Sequence, residues 1–196
     1  MAATLATEAQ YEAWADGVGL SSTPAGLADA LERATAELQA HCAREFVPSP
    51  VSGSATETRQ VVGDGTNVLW IPDLLSLSSL AVGDVDPGAY RLAPEGQTPA
   101  THLVRTVGVW AVGTVVCVTG RFGYAEQTAL PVAVVEACCM LAAVRLHATA
   151  DWSGAVSGAS KVTVINVTVD VASAGAGLSR KRQDALDLVR PYRRLF

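Results

Sequence analysis

Charge, aromatic residues and long apolar runs are all scarce in this chain of 196 residues. Only 17% of the residues are charged and 6% are aromatic. No apolar run reaches the roughly 18 residues that a helix needs to cross a bilayer, so no membrane span is expected. The opening residues, Met1-Ala2-Ala3-Thr4-Leu5, place no basic stretch before an apolar one. They predict no secretory signal and a protein that stays in the cytoplasm where it is made. Cysteine is limited to Cys42, Cys117, Cys138 and Cys139. None forms a C-x-x-C pair, and adjacent cysteines make poor disulfide geometry. They read as small buried hydrophobes in a reducing compartment.

The signatures of catalysis are missing too. Histidines stand only at His41, His102 and His147, each without an orienting acid at motif distance. His41 adjoins Cys42, but neighbours on a helix point apart, so no metal site is expected. There is no G-x-S-x-G elbow and no Walker loop. Gly63-Asp64-Gly65 reads as a tight turn, not a phosphate cradle. Asp84 and Asp86 could pair as carboxylates, but Pro87-Gly88 favours a solvated turn. Asn166-Val167-Thr168 fits a glycosylation pattern that carries no meaning without a secretory route. The expectation is a protein that is not an enzyme and has no cofactor.

What is present is apolar material: 49% of the chain is hydrophobic, mainly Ala, Val and Leu, which is enough for a core. Net charge is −5, the wrong sign for a stand-alone nucleic-acid binder. The charge is uneven. Residues 180–196 hold six basic and two acidic side chains, a net +4, which leaves −9 for residues 1–179. A basic tail on an acidic body suggests a segment that docks on something acidic.

Residues 7–16 predict a short helix with Thr7 as its N-cap and Tyr11 and Trp14 on one face. Trp14 and Trp152 are as readily buried anchors as partner contacts. Thr23-Pro24 predicts the start of a stronger helix running to residue 46. Its stripe is Leu27, Leu31, Ala34, Leu38, Cys42 and Phe46, and Pro48 and Pro50 stop it. From residue 55 to 122 the period becomes that of strands. Thr56–Val62, Asn67–Ile71 (ending at Pro72), Ser76–Val82, Tyr90–Leu92, Thr101–Val107 and Thr114–Thr119 are separated by turn residues. After Pro131 a helix over 131–150 carries Val134, Val135, Cys138, Leu141, Ala142, Arg145 and Leu146. It is apolar on most sides and reads as the central helix, packed on 24–46 with Leu31, Leu38, Leu141 and Leu146 buried. Residues 151–161 are rich in Gly, Ser and Ala and read as mobile. Val162–Val171 alternates strictly and reads as a half-buried strand or hairpin arm. Ala172–Gly177 then reads as a flexible link, and Ser179 as the cap of a last helix over Arg180–Arg190.

The fold class expected is α+β: a helical bundle with an inserted antiparallel β-sheet or small β-sandwich, and a β-arm before the C-terminal helix. The divisions are N-terminal helices over 1–50, a β region over 51–124 and a central helix over 125–150. A loop with the arm follows over 151–178, and a basic helix and tail over 179–196. No internal repeat is present. The arm, through Val162, Val164, Ile165, Val167, Val169 and Val171, is expected to pair with a sheet edge, within the chain or on a neighbouring subunit.

One stretch carries a recognisable order of motifs. Trp110-Ala111-Val112-Gly113-Thr114-Val115-Val116-Cys117-Val118-Thr119-Gly120-Arg121-Phe122-Gly123-Tyr124-Ala125 precedes Leu130-Pro131 and an Ala-rich helix. Upstream stand Arg44-Glu45-Phe46, the turn at Gly63-Asp64-Gly65, Leu69-Trp70-Ile71-Pro72, and Asp86–Leu92 with its Y-x-L. Over residues 23–150 this order resembles the head–tail connector proteins (adaptor or head-completion) of tailed bacteriophages. Segment 151–177 departs from the family pattern. Physically, Gly120 and Gly123 would let the chain turn, Tyr124 would fill the corner, and Pro131 would open the helix.

The resemblance implies a structural protein of the virion neck, made in the host cytoplasm. It would form a ring, typically a dodecamer, under the portal protein. The ring would extend the DNA channel and present a surface for the stopper or tail-completion protein. Double-stranded DNA would pass an acidic lumen without specific binding. The portal-contact candidates that the resemblance implies are Arg180, Lys181, Arg182, Arg190, Tyr192, Arg193, Arg194 and Phe196. A solvated helix end, or a contact with DNA phosphates, are the other readings of that segment. Another neck or tail-completion component, or a small-ligand or enzymatic domain, are the alternative functions.

Overall fold

The computed structural model describes residues 4–18, 20, 24–49, 55–81, 90–154, 161–164 and 167–194. The expected features at Thr23, Pro50, Val82, Asp84, Asp86, Pro87-Gly88, Ile165, Asn166 and Phe196 lie outside them. The fold is α+β, and the chain divides into two compact units. One comprises residues 1–43 and 131–196; the other comprises residues 44–130.

The first unit is helical. α1 (Glu8–Val18) opens on a capping box: the Gln10 N–H donates to Thr7 Oγ1 at 3.1 Å, and the Thr7 N–H donates to Gln10 Oε1 at 2.8 Å. Two orphan donors of the first turn are satisfied reciprocally. α2 (Leu27–Cys42) starts three residues later than Pro24 suggests, behind Gly26 in the left-handed region (φ 82°). It also ends earlier than its stripe does. Ala43 turns into the left-handed region (φ 50°), so Phe46, though spaced for the helix, belongs to the other unit. Leu27, Leu31, Ala34, Leu38 and Cys42 are buried as the period predicts. α3 (Val132–Gly154) packs on α2 and runs through residues 151–154, which the sequence reads as mobile. Val134, Cys138, Leu141 and Ala142 are buried, but Leu146 is only half-buried.

Beyond α3 come β6 (Lys161–Val164) and β7 (Val167–Asp170), which pair antiparallel, and then α4 (Val171–Leu188). α4 packs on α3. It absorbs Ala172–Gly177, the expected link, and Ser179 lies inside it and caps nothing. The arm is a ribbon closed on itself. Register pairs Val162 with Val169 and Val164 with Val167. That register places positions 162, 164, 167 and 169 on one face. A single continuous strand would have put the first two opposite the last two.

The second unit is one five-stranded antiparallel sheet in the order β1-β5-β2-β4-β3. It is a sheet, not a sandwich. The strands are β1 (Glu57–Val62), β2 (Val68–Ala81), β3 (Tyr90–Ala93), β4 (Ala100–Arg105) and β5 (Val115–Phe122). β2 merges the two strands expected on either side of Pro72. Its first half pairs with β4 and its second half with β5, with irregular register between Trp70 and Leu74. Proline lacks the N–H for a ladder bond, and this irregular stretch is where its absence is tolerated. The core gathers Leu69, Ile71, Leu74, Leu103, Trp110, Val116, Val118 and Phe122. β5 alternates cleanly, with Val116, Val118, Gly120 and Phe122 turned inward.

Candidate functional site

The basic segment after residue 179 is amphipathic, and its apolar side is used within the helical unit. Ala185, Leu186 and Val189 are buried. A 3-10 turn over Arg190–Tyr192 follows α4, with Pro191 in its first positions. The Tyr192 N–H donates to the Val189 carbonyl at 2.9 Å, and the Arg194 N–H donates to the Cys42 carbonyl at 2.9 Å. The second bond caps a C-terminal carbonyl of α2. The Cys42 thiol donates to the Val189 carbonyl at 3.8 Å. The segment is thus a strap held on the end of α2.

Its cations divide into two groups. Arg182 pairs with Glu37 at 2.6 Å, and Arg145 pairs with the other oxygen of that carboxylate. Glu37 therefore joins α2, α3 and α4. The sequence reading missed it, because i-to-j charge pairs 108 and 145 residues apart leave no local signal. Arg180, Lys181, Arg190 and Arg193 are exposed and make no ion pair among the described residues. Tyr192 and Arg194 are half-buried. A fixed backbone carrying four solvated cations can receive carboxylates without first being ordered.

The corner motif has a different geometry from a simple turn. Gly120 lies inside β5, opposite Leu77 of β2, where a Cβ would collide with the Ser76 carbonyl. Close backbone approach requires glycine there. Gly123 is the turning residue (φ +135°), and its N–H donates to the Asp73 carbonyl at 2.7 Å. Tyr124 packs edge-on against Phe46, with centroids 5.6 Å apart, under the Arg44 guanidinium at 4.9 Å. The Pro131 carbonyl accepts from the N–H groups of Val134 (2.9 Å) and Val135 (3.3 Å), opening α3.

The turn at Gly63-Asp64-Gly65 has its donors committed. Gly63 N–H donates to the Thr114 carbonyl, Gly65 N–H to the Trp110 carbonyl, and Thr66 N–H to Asp64 Oδ1. The Asp64 carboxyl is held below its ordinary range by the Thr66 N–H and hydroxyl. No free N–H nest is left there for a phosphate. His102 lies against the exposed Trp70 ring, with centroids 5.0 Å apart, and His41 sits in the last turn of α2. Among the described residues no three His, Cys, Asp or Glu side chains gather as a metal-ligand set. No described helix is long and apolar enough to cross a membrane. The four cysteines are free; Cys42, Cys138 and Cys139 are buried and Cys117 is half-buried.

No protein-family model matches the chain, and no curated protein matches it. Among solved structures, the chain is similar to a chain in the neck of an empty gene transfer agent particle computed with C6 symmetry. Identity is 16% and the TM-score 0.49, with 88% of this chain and 79% of that one covered. It is also similar to a chain in the neck of the native particle computed with C12 symmetry. There identity is 18% and the TM-score 0.45, with 81% and 82% covered. A chain of the native gene transfer agent virion is similar at 17% identity and TM-score 0.49, covering 93% of each.

Proposed function

We propose that this protein is a structural component of a phage-like neck, a head–tail connector that forms a ring under the portal. It extends the DNA channel and offers its far surface to the stopper or tail. The observation that carries the reading is the strap over residues 180–194. It is a pre-ordered backbone with Arg180, Lys181, Arg190 and Arg193 exposed, on a chain whose remainder is net acidic. An acidic face of the portal is the partner this surface fits, with Tyr192 and Phe196 as apolar anchors. The acidic body leaves duplex DNA free to slide past it. The connector resemblance over residues 23–150 supplies the rest of the reading.

The test is size determination of the purified protein alone and mixed with portal. A ring, or a complex with portal, is expected. A small fixed stoichiometry that ignores portal overturns the reading. Within it, reversing the four exposed cations to Glu should weaken portal binding by about tenfold or more, on the order of 1.4 kcal/mol. The melting curve should stay unchanged, because the four are exposed and outside every described ion pair. Unchanged portal binding removes the strap as the contact. A steep salt dependence of DNA retention, with portal binding intact, would point to phosphates instead.

A further inference from the structure

α1 carries an acidic face that its own stability does not explain. Glu8, Glu12 and Asp16 follow one another at four-residue spacing, so all three lie along one side of the helix. Like charges at that spacing repel one another. Asp16 also stands in the last turn, where the helix dipole disfavours an acid and no basic residue answers it. Glu8 and Asp16 are exposed and Glu12 is half-buried. None of the three makes an ion pair among the described residues. A face that weakens its own helix points to cations supplied from outside it.

An open groove lies beside that face. It has a volume of about 270 Å³ and is lined by Glu8 and Glu12 of α1 and by Pro24, Gly26, Leu27 and Ala28 at the start of α2. Two carboxylates beside an apolar wall suit a long basic side chain. Its methylene stem lies on the apolar wall while its charged head meets the acids. The same chain holds cations of that kind. Arg180 and Lys181 are exposed on α4, and no ion pair joins them to α1 or to any other described acid, Asp184 on their own helix included. α1 and α4 both pack on α3, yet these charges do not meet within one chain.

We propose that the acidic groove between α1 and α2 in one copy receives the Arg180–Lys181 turn of α4 from a second copy. The complement of the groove is encoded in the same chain, in equal number, and is left unpaired there. Charge complementarity of this kind fixes the register of a contact and speeds its formation. Groove and cations lie on different elements, so the contact is head-to-tail, and such a contact closes into rings or extends as filaments. It rests on the neck reading for its ring and deepens that reading by naming the copy-to-copy surface. Arg190 and Arg193 of the strap stay open to the portal.

The test is charge exchange, read as self-association of the full chain by sedimentation at low salt, without portal. The parent should associate, and less so as salt rises. Glu8→Lys/Glu12→Lys and Arg180→Glu/Lys181→Glu should each weaken association by about tenfold or more. An equimolar mixture of the two variants should recover it, because each reversed face then meets its complement on the other population. Should the lysine variant lose its fold by circular dichroism, Glu8→Gln/Glu12→Gln replaces it and should lose association and most of its salt dependence. Three results overturn the proposal. They are a parent that stays monomeric at low salt, a variant of either face that associates as the parent does, and a mixture no better than its components. Portal binding is scored separately. Rings that survive both reversals leave the neck reading standing without this contact. Recovery in the mixture by a protein that ignores portal leaves this contact standing without the portal.

Discussion

The Asp73 carboxylate lies 3.0 Å from the Arg44 guanidinium with only 2% of its side chain exposed. The backbone carbonyl of Asp73 accepts from Gly123, and the Arg44 guanidinium also lies over the Tyr124 ring. One buried ion pair thus fixes the first residue of the β unit, the irregular stretch of β2 and the turn after β5 to one another. Removing one partner leaves a buried charge. Arg44→Met or Asp73→Asn should each cost on the order of 3–5 kcal/mol. The double variant Arg44→Met/Asp73→Leu should recover much of that loss. Urea unfolding followed through Trp110 and Trp70 fluorescence checks both. Single variants as stable as the parent would show that the pair is not structural.

Leu38 is fully buried at the α2–α3 contact. Leu38→Ala should cost on the order of 2–5 kcal/mol through lost transfer energy and the cavity left behind. A melting temperature within a degree or two of the parent would contradict this core assignment.

Two glycines make an internal contrast. Gly120→Ala drives a methyl into the Ser76 carbonyl across two packed strands, and should destabilise by about 1–3 kcal/mol. Gly17 sits in α1, where an added methyl would meet nothing within 4 Å, and its φ is ordinary. Gly17→Ala should stabilise by about 0.5–1 kcal/mol. Thermal melts of the two variants side by side should move in opposite directions.

Burial pushes the Cys138 thiol up to about 11. Burial, with Cys138 and Glu136 nearby, pushes Cys139 up to about 12. Both lie above the ordinary value of 9.0, so the folded state holds these protons more tightly than the unfolded state. Their contribution to stability is complete below about pH 9 and is lost as pH rises through 11–12. Burial raises Tyr11 as well, which acts in the same direction. The urea midpoint should therefore fall between about pH 8 and about pH 10.5, and fall less in Cys138→Ala/Cys139→Ala. At about pH 8, native protein should react with a thiol reagent at Cys117 first. Rapid labelling of all four thiols would show that α3 is not buried as described.

Local pattern was enough wherever one period ran unbroken and one face met a core. Leu27 to Cys42 and Val134 to Ala142 are such stretches, and so is β5, whose inward residues alternate without a gap. Thr7 and Gln10 sit at capping-box spacing, and the box forms. Pro131 opens α3 because a helix start is the one place its missing N–H costs nothing. The uneven charge of residues 180–196 is also plain in the sequence.

The rest depended on partners distant in the chain. Spacing alone could not tell that Phe46 leaves its helical stripe, because Ala43 turns left-handed and Phe46 packs instead against Tyr124, 78 residues on by number. Nor could it tell that β2 continues through Pro72, since only its exchange of partners from β4 to β5 makes room for a residue without an N–H. Glu37 gained its two arginines from α3 and α4. Strict alternation from Val162 to Val171 fits a single strand and a folded ribbon equally well, and only the pairing of β6 with β7 decided between them. The sequence by itself determined the unbroken runs such as α2 and β5 and the sign of the charge, because these follow from local period and composition, whereas Ala172–Gly177, which reads as a link, is helix. Tertiary structure alone decided where each element ends and which charges meet, because those depend on contacts that close only when the chain has folded.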